Sequence, residues 1–146
     1  LQELQQNYAA VFLAPGVMKS TEWNVDGVTP NDLHEGLHLL KQWSDVASLP
    51  EMKSAAIIGG GNTAIDIARI LKRNGVDTHI VIHSSLPDPD NPSEDDMRAI
   101  PREIQQALEE GVQIHDHHGV KRLILRGEKL SGIEIVRMRK LPDDKG

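Results

Sequence analysis

The chain reads as an α/β domain: a small, doubly wound parallel sheet with an antiparallel hairpin at its C-terminal end. Three observations predict this. Ala55-Ala56-Ile57-Ile58 is an apolar run that stops at Gly59-Gly60-Gly61. Beyond the glycines, Ala64, Ile65, Ile67, Ala68 and Leu71 recur at helical spacing, and a second apolar run, His79-Ile80-Val81-Ile82-His83, follows. Near the end, Val120 to Arg126 and Ile133 to Arg139 alternate apolar and polar residues on either side of Gly127–Gly132. Strand, helix and strand in succession imply a parallel sheet, and period-two alternation around a glycine-bearing loop implies a hairpin.

Taken in order, Tyr8 to Ala14 is a short apolar strand closed by Pro15-Gly16. Thr29-Pro30-Asn31-Asp32 has the cap, first-turn proline and early acid of a helix start. Leu33, Leu37, Leu40 and Trp43 mark one face of that helix, and Pro50 closes it. The strand Ala55–Ile58 reads as buried. The helix after the glycines ends at Gly75, behind Lys72, Arg73 and Asn74. Pro87, Pro89 and Pro92 then hold an extended loop. Ser93-Glu94-Asp95-Asp96 resembles an acidic, capped helix start, and the predicted helix runs to Glu110 with Pro101 as a break or restart. Gly111 ends it, and Val112–His115 is the third parallel strand. No internal repeat or low-complexity segment is present.

The glycine turn carries the chemistry. Gly59 turns the chain at the strand's end. Gly61 has no Cβ, so a phosphate can approach its backbone, and Ala64 lets the helix pack close to the strand. The free N–H groups and positive dipole end of the following helix suit a pyrophosphate.

Composition removes other classes. Of 146 residues, 26% are charged, with a formal net charge of -6, and nucleic-acid binding needs a basic face. Aromatics are 3%, too few for a base-stacking surface. No apolar run reaches the roughly 20 residues of a membrane-spanning helix. The polar start, Leu1 to Gln6, lacks the profile of a signal peptide; with no initial Met, the chain reads as part of a longer one. Cysteine is absent, which excludes a disulfide, a thiolate metal site and a C-x-x-C redox pair and is compatible with a cytoplasmic origin.

Three stretches together resemble a known family: Tyr8–Gly16, Gly59–Asp66, and Glu103–Val112 with the later Gly132-Ile133-Glu134 and Val136-Arg137-Met138. The chain is similar to the pyridine-nucleotide domain of FAD-dependent two-dinucleotide-domain oxidoreductases, in the glutamate synthase small-subunit branch that dihydropyrimidine dehydrogenase shares. The resemblance implies a Rossmann-like fold inserted into an FAD domain. Residues 1–20 would be the crossover segment from that domain, and residues 21–146 the NAD(P)-binding domain. It implies NAD(H) or NADP(H) as ligand, FAD in the full-length protein, and any iron–sulfur cluster outside this chain. The implied partners are the FAD domain of the same polypeptide and an electron-transfer subunit, with neither nucleic acid nor membrane.

On this reading the chain supplies binding residues and no catalytic or metal-ligating ones, because the cofactors carry hydride transfer. Gly59, Gly60, Gly61, Asn62 and Thr63 would hold the pyrophosphate, His83, Ser84 and Ser85 would face the adenosine ribose, and Gly16 would lie near the nicotinamide–flavin junction. Two departures stand out. Two arginines typical of the family after the second strand are replaced by Ser84-Ser85, which removes a clamp for a 2′-phosphate and leans the site toward NADH. No acid that would bond the ribose hydroxyls stands beside them in sequence either. Pro15 replaces a threonine of the crossover turn. Those departures motivate an alternative, a degenerate non-catalytic module that stabilises a larger electron-transfer complex. Arg69, Arg73 and Arg98 read as solvated surface. Asp66 reads equally as a domain-junction contact or as an acid suited to the helix's positive end. His115 with His117, and His34 with His38 at i,i+4, read as exposed residues rather than metal ligands.

Overall fold

A computed structural model describes residues 2–12 and 33–139 of the chain. The element order is α1 (Gln2–Asn7), α2 (Gly36–Val46), β1 (Ser54–Ile58), α3 (Asn62–Arg73), β2 (Asp77–Val81), α4 (Pro101–Glu109), β3 (Gln113–His115), β4 (His118–Arg126) and β5 (Lys129–Arg137). Strands β1, β2 and β3 form a parallel sheet in that order, and β4 pairs with β5 as a separate antiparallel hairpin. The α/β reading and the hairpin both hold.

The core lies between the sheet and its helices. Ile65 and Ala68 of α3, Ile80 of β2, Ile104 and Ala107 of α4, and Val112 form one buried cluster. Leu39 of α2, Ile67 and Leu71 of α3, and Val76 form a second. Gly36 opens α2 so close to α3 that a Cβ there would stand 2.7 Å from Ile67 Cδ1. Helices α3 and α4 stop as the sequence implies, at Gly75 and Gly111, which take the left-handed φ values of 82° and 87° that glycine accepts freely. Thr78 is fully buried, and its Oγ1 donates to the Val76 carbonyl at 2.9 Å.

Five local expectations change. Tyr8–Phe12 is not a strand: no strand pairs with it among the described residues, Phe12 is 93% exposed, and a lone extended segment has no ladder to satisfy. Its continuation, Leu13–Gly16, and the helix start at Thr29–Asp32 lie outside the described residues. Helix α2 begins at Gly36 and buries Leu39, so Leu33 stands outside it. Strand β1 is half-buried, and among the described residues it pairs on one side only, with β2. Residues 93–100 are not helical, because their main chain bonds elsewhere: Met97 N–H donates to Ser85 O at 2.8 Å and Ala99 N–H to Gly60 O at 3.1 Å. Met97 and Ala99 alternate into the core, and the helix waits for Pro101. The hairpin turns at Gly127-Glu128 rather than across a six-residue loop, so both strands run nearer to the turn.

Candidate functional site

The glycine turn links β1 to α3. Gly59 has φ 120°, a value that favours glycine, and its N–H donates to Val81 O at 3.1 Å. The turn is thereby tied to the end of β2. Gly60 is packed: a Cβ there would meet Met97 Cγ at 3.0 Å and Ile82 Cγ2 at 3.1 Å. Gly61 is open, with nothing within 4 Å of a Cβ, and it caps α3 in an extended conformation of φ -90°. The N–H groups of Gly60, Gly61, Asn62 and Thr63 meet no acceptor among the described residues. They lie where the partial positive charge of the 12-residue α3 is concentrated. Such a cradle can take an anion through main-chain donors alone.

Asn62 does something the sequence did not suggest. Its Oδ1 accepts the Ile100 N–H at 2.9 Å and so joins the glycine turn to the entry of α4. The Asn62 carbonyl oxygen is thus committed to the fold, which leaves its main-chain N–H for a ligand.

The β2 end carries the other predicted residues. His83 is exposed, while Ser84 and Ser85 are half-buried. Ser85 Oγ donates to Asp96 Oδ1 at 2.8 Å, and its N–H to Asp95 O at 3.0 Å. Asp96 also accepts the Ser93 N–H at 2.9 Å. A carboxylate from a loop further along the chain, Asp96, thus stands beside Ser85. Gly16 lies outside the described residues.

Beside His83 the structure opens a cavity of about 830 Å³, lined by His83, Asp95, His117, Arg137, Met138 and Arg139. Sequence reading missed the last three and His117 as site residues, since nothing in their spacing announces a pocket. The base of the hairpin brings them there. His118 N–H donates to Ile82 O at 2.8 Å, and His117 N–H to Ser84 O at 3.1 Å.

The remaining candidates are placed elsewhere. Arg69 and Arg73 are not free surface: both grip Glu110, at 2.8 Å and 2.5 Å. Hydrogen bonds from Arg69 and Arg73 hold the Glu110 carboxyl at about 2, well below its ordinary value. Asp66 is exposed and lines a smaller cleft between α2 and α3, with Trp43 and Arg69. His115 stacks on His79, with Nε2 3.0 Å from His79 Nδ1, rather than pairing with His117. Burial, with His79 and His118 nearby, lowers its pKa. His34 precedes α2, so it shares no helical face with His38. Among the described residues no group of three or more His, Asp or Glu is arranged to hold a metal ion, and no helix is long and apolar enough to cross a membrane.

The chain is 32% identical over 142 residues to the NADPH-Fe(3+) oxidoreductase subunit beta of Geobacter sulfurreducens, covering 94% of this chain and 20% of that one. It is 30% identical to the NADP(+)-dependent formate dehydrogenase subunit beta of Moorella thermoacetica, covering 100% and 20%. It is 28% identical to the glutamate synthase [NADPH] small chain of Escherichia coli, covering 100% and 32%. The chain thus spans about a fifth to a third of the length of these relatives. Among solved structures, the thioredoxin reductase of Giardia duodenalis superposes with a TM-score of 0.50 over 76% of this chain and 35% of that one, at 17% identity, which speaks for the fold alone. A ferredoxin reductase of Rhodopseudomonas palustris gives the same TM-score of 0.50 over 73% and 24%, at 16% identity. The family model for pyridine nucleotide-disulphide oxidoreductases matches residues 2–140, and the chain belongs to that family.

Proposed function

We propose that this chain is the NAD(P)H-binding domain of a flavin-dependent oxidoreductase. In this reading it positions the nicotinamide for hydride transfer to an FAD held by a domain mostly outside the chain. One observation carries the reading: the unpartnered N–H groups of Gly60 to Thr63, beside an open Gly61, at the positive end of α3. That arrangement fits a diphosphate, which brings two negative groups and no need for a base-specific contact.

The residue roles follow. Gly59 sets the turn, and the main chain from Gly60 to Thr63 binds the pyrophosphate. His83, Ser84 and Ser85 face the adenosine ribose, with Ser85 held by Asp96. Gly16 belongs to the crossover, residues 1–20, near the nicotinamide–flavin junction. Residues 21–146 form the nucleotide domain. Bound flavin would accept the hydride and pass electrons on, and this chain's own part is orientation. The relatives, each named as an NADP-linked subunit or chain, support both a nicotinamide cofactor and a partner electron-transfer subunit. Any iron–sulfur cluster would take its cysteines from outside this chain, which has none.

Gly61→Ala tests the reading. Alanine accepts φ -90°, and nothing lies within 4 Å of its Cβ, so the fold survives at a cost of about 1 kcal/mol for the poorer cap. The added methyl stands on the anion's approach. Calorimetry should show NADPH and NADH binding weakened by about tenfold or more, with an unchanged circular dichroism spectrum. Unaltered affinity in a folded variant would sink the assignment.

A further inference from the structure

The arginines missing at the end of β2 have a structural counterpart that the sequence places more than fifty positions away. Arg137 closes β5 and Arg139 follows it. Both are exposed, and neither has an ion-pair or hydrogen-bond partner among the described residues. This sets them apart from Arg69, Arg73 and Arg122, each of which is paired with a glutamate.

Their position is fixed by main chain. Met138, between them, donates its N–H to His117 O at 2.6 Å, and His117 donates to Ser84 O at 3.1 Å. The end of β5 is thereby tied to the segment after β2, and both arginines line the cavity with His83. The glycine turn reaches the same strand end through the Gly59 bond to Val81 O. In a strand–helix–strand nucleotide unit, the ribose next to the pyrophosphate lies over the end of the second strand. A phosphate on that ribose would enter this cavity.

We propose that Arg137 and Arg139 form a phosphomonoester clamp that holds the 2′-phosphate of NADPH, in place of arginines at Ser84 and Ser85. This rests on the dinucleotide reading of the glycine turn. Two guanidinium forks match a dianionic phosphate by paired N–H donors. His83 and His117, also in the lining, add imidazole donors. Among the described residues of the lining, Asp95 is the one carboxylate, against two permanent cations. Arg98, the other cation near the proline loop, does not line the cavity. The clamp reverses the lean toward NADH that Ser84-Ser85 suggests.

The test is calorimetry on the full polypeptide that carries this chain, with NADPH, NADH, 2′,5′-ADP and 5′-AMP as probes. NADPH should bind about tenfold or more tightly than NADH, and 2′,5′-ADP more tightly than 5′-AMP by a similar factor. Arg137→Gln with Arg139→Gln should erase both preferences and leave the NADH affinity unchanged, which also shows that the variant is folded. Should that variant not fold, Arg137→Lys with Arg139→Lys keeps the charge but loses the fork, and the preference should shrink. Equal or tighter NADH binding by the unaltered protein overturns the clamp, as does a preference that survives both double substitutions. In those cases NADH still binds and the glycine-turn reading stands. Binding of none of the four probes overturns both.

Discussion

The glycine turn and the cavity at the end of β2 are built by opposite means. The turn is local: Gly59 to Thr63 are contiguous, and their useful groups are main-chain N–H donors set by one φ value and one helix start. The cavity is assembled: His83, Asp95, His117, Arg137 and Arg139 come from a strand end, a loop and both strands' base in the hairpin. A site made of backbone is written in adjacent residues. A site made of side chains is written in the fold.

The comparison predicts where substitutions hurt. The largest effect is expected beneath the turn. Ile65 is fully buried in the α3 core, so Ile65→Ala should cost about 2–5 kcal/mol in urea unfolding and weaken nucleotide binding only through the unfolded fraction. A loss under 1 kcal/mol would mean that the core lies elsewhere. Next is Gly59→Ala, whose φ of 120° strains any side chain by about 1–3 kcal/mol, although no atom obstructs it. Thermal melting of this variant should expose backbone strain without a cavity, and an unchanged Tm would show that the turn relaxes.

Asn62→Ala comes third. It removes the bond to Ile100 N–H, worth about 1 kcal/mol because that donor is left to water. Hydrogen exchange at Ile100 should quicken while the α3 amides keep their protection; equal protection at Ile100 would refute the tie between turn and α4. Acidification gives a smaller effect, since the Glu110 cluster is largely solvent-screened. Its folded pKa, about 2, lies below the ordinary 4.5, so its contribution is present above pH 4.5 and fades as pH falls toward 2. In Glu110→Gln that part of the acid-induced loss should vanish, and an identical acid profile would count against the cluster. The smallest change is expected at the cavity. Arg137→Ala and Arg139→Ala sit exposed and unpaired, so stability should stay within about 0.5 kcal/mol in chemical unfolding. A larger loss would make them structural, so that the cavity too would be part of what holds the fold.

Sequence alone determined the parts that depend on neighbours along the chain. The strand–turn–helix of β1 and α3, the glycine stops at Gly75 and Gly111, the third strand and the hairpin were legible, because periodicity and glycine conformation act over a few residues. Tertiary structure decided the rest. Tyr8–Phe12 is apolar enough for a strand, yet a strand needs a partner, and none pairs with it among the described residues. Residues 93–100 carry a helix-start signal, yet Ser85 and Gly60 claim their main-chain groups first. Asp96 beside Ser85, Asn62 on Ile100, and Arg137 with Arg139 in one cavity with His83 are separated by 11, 38 and more than 50 positions. No local rule relates such residues. They meet because the hairpin base and the proline loop both bond to the end of β2, and that bonding exists only once the sheet has formed.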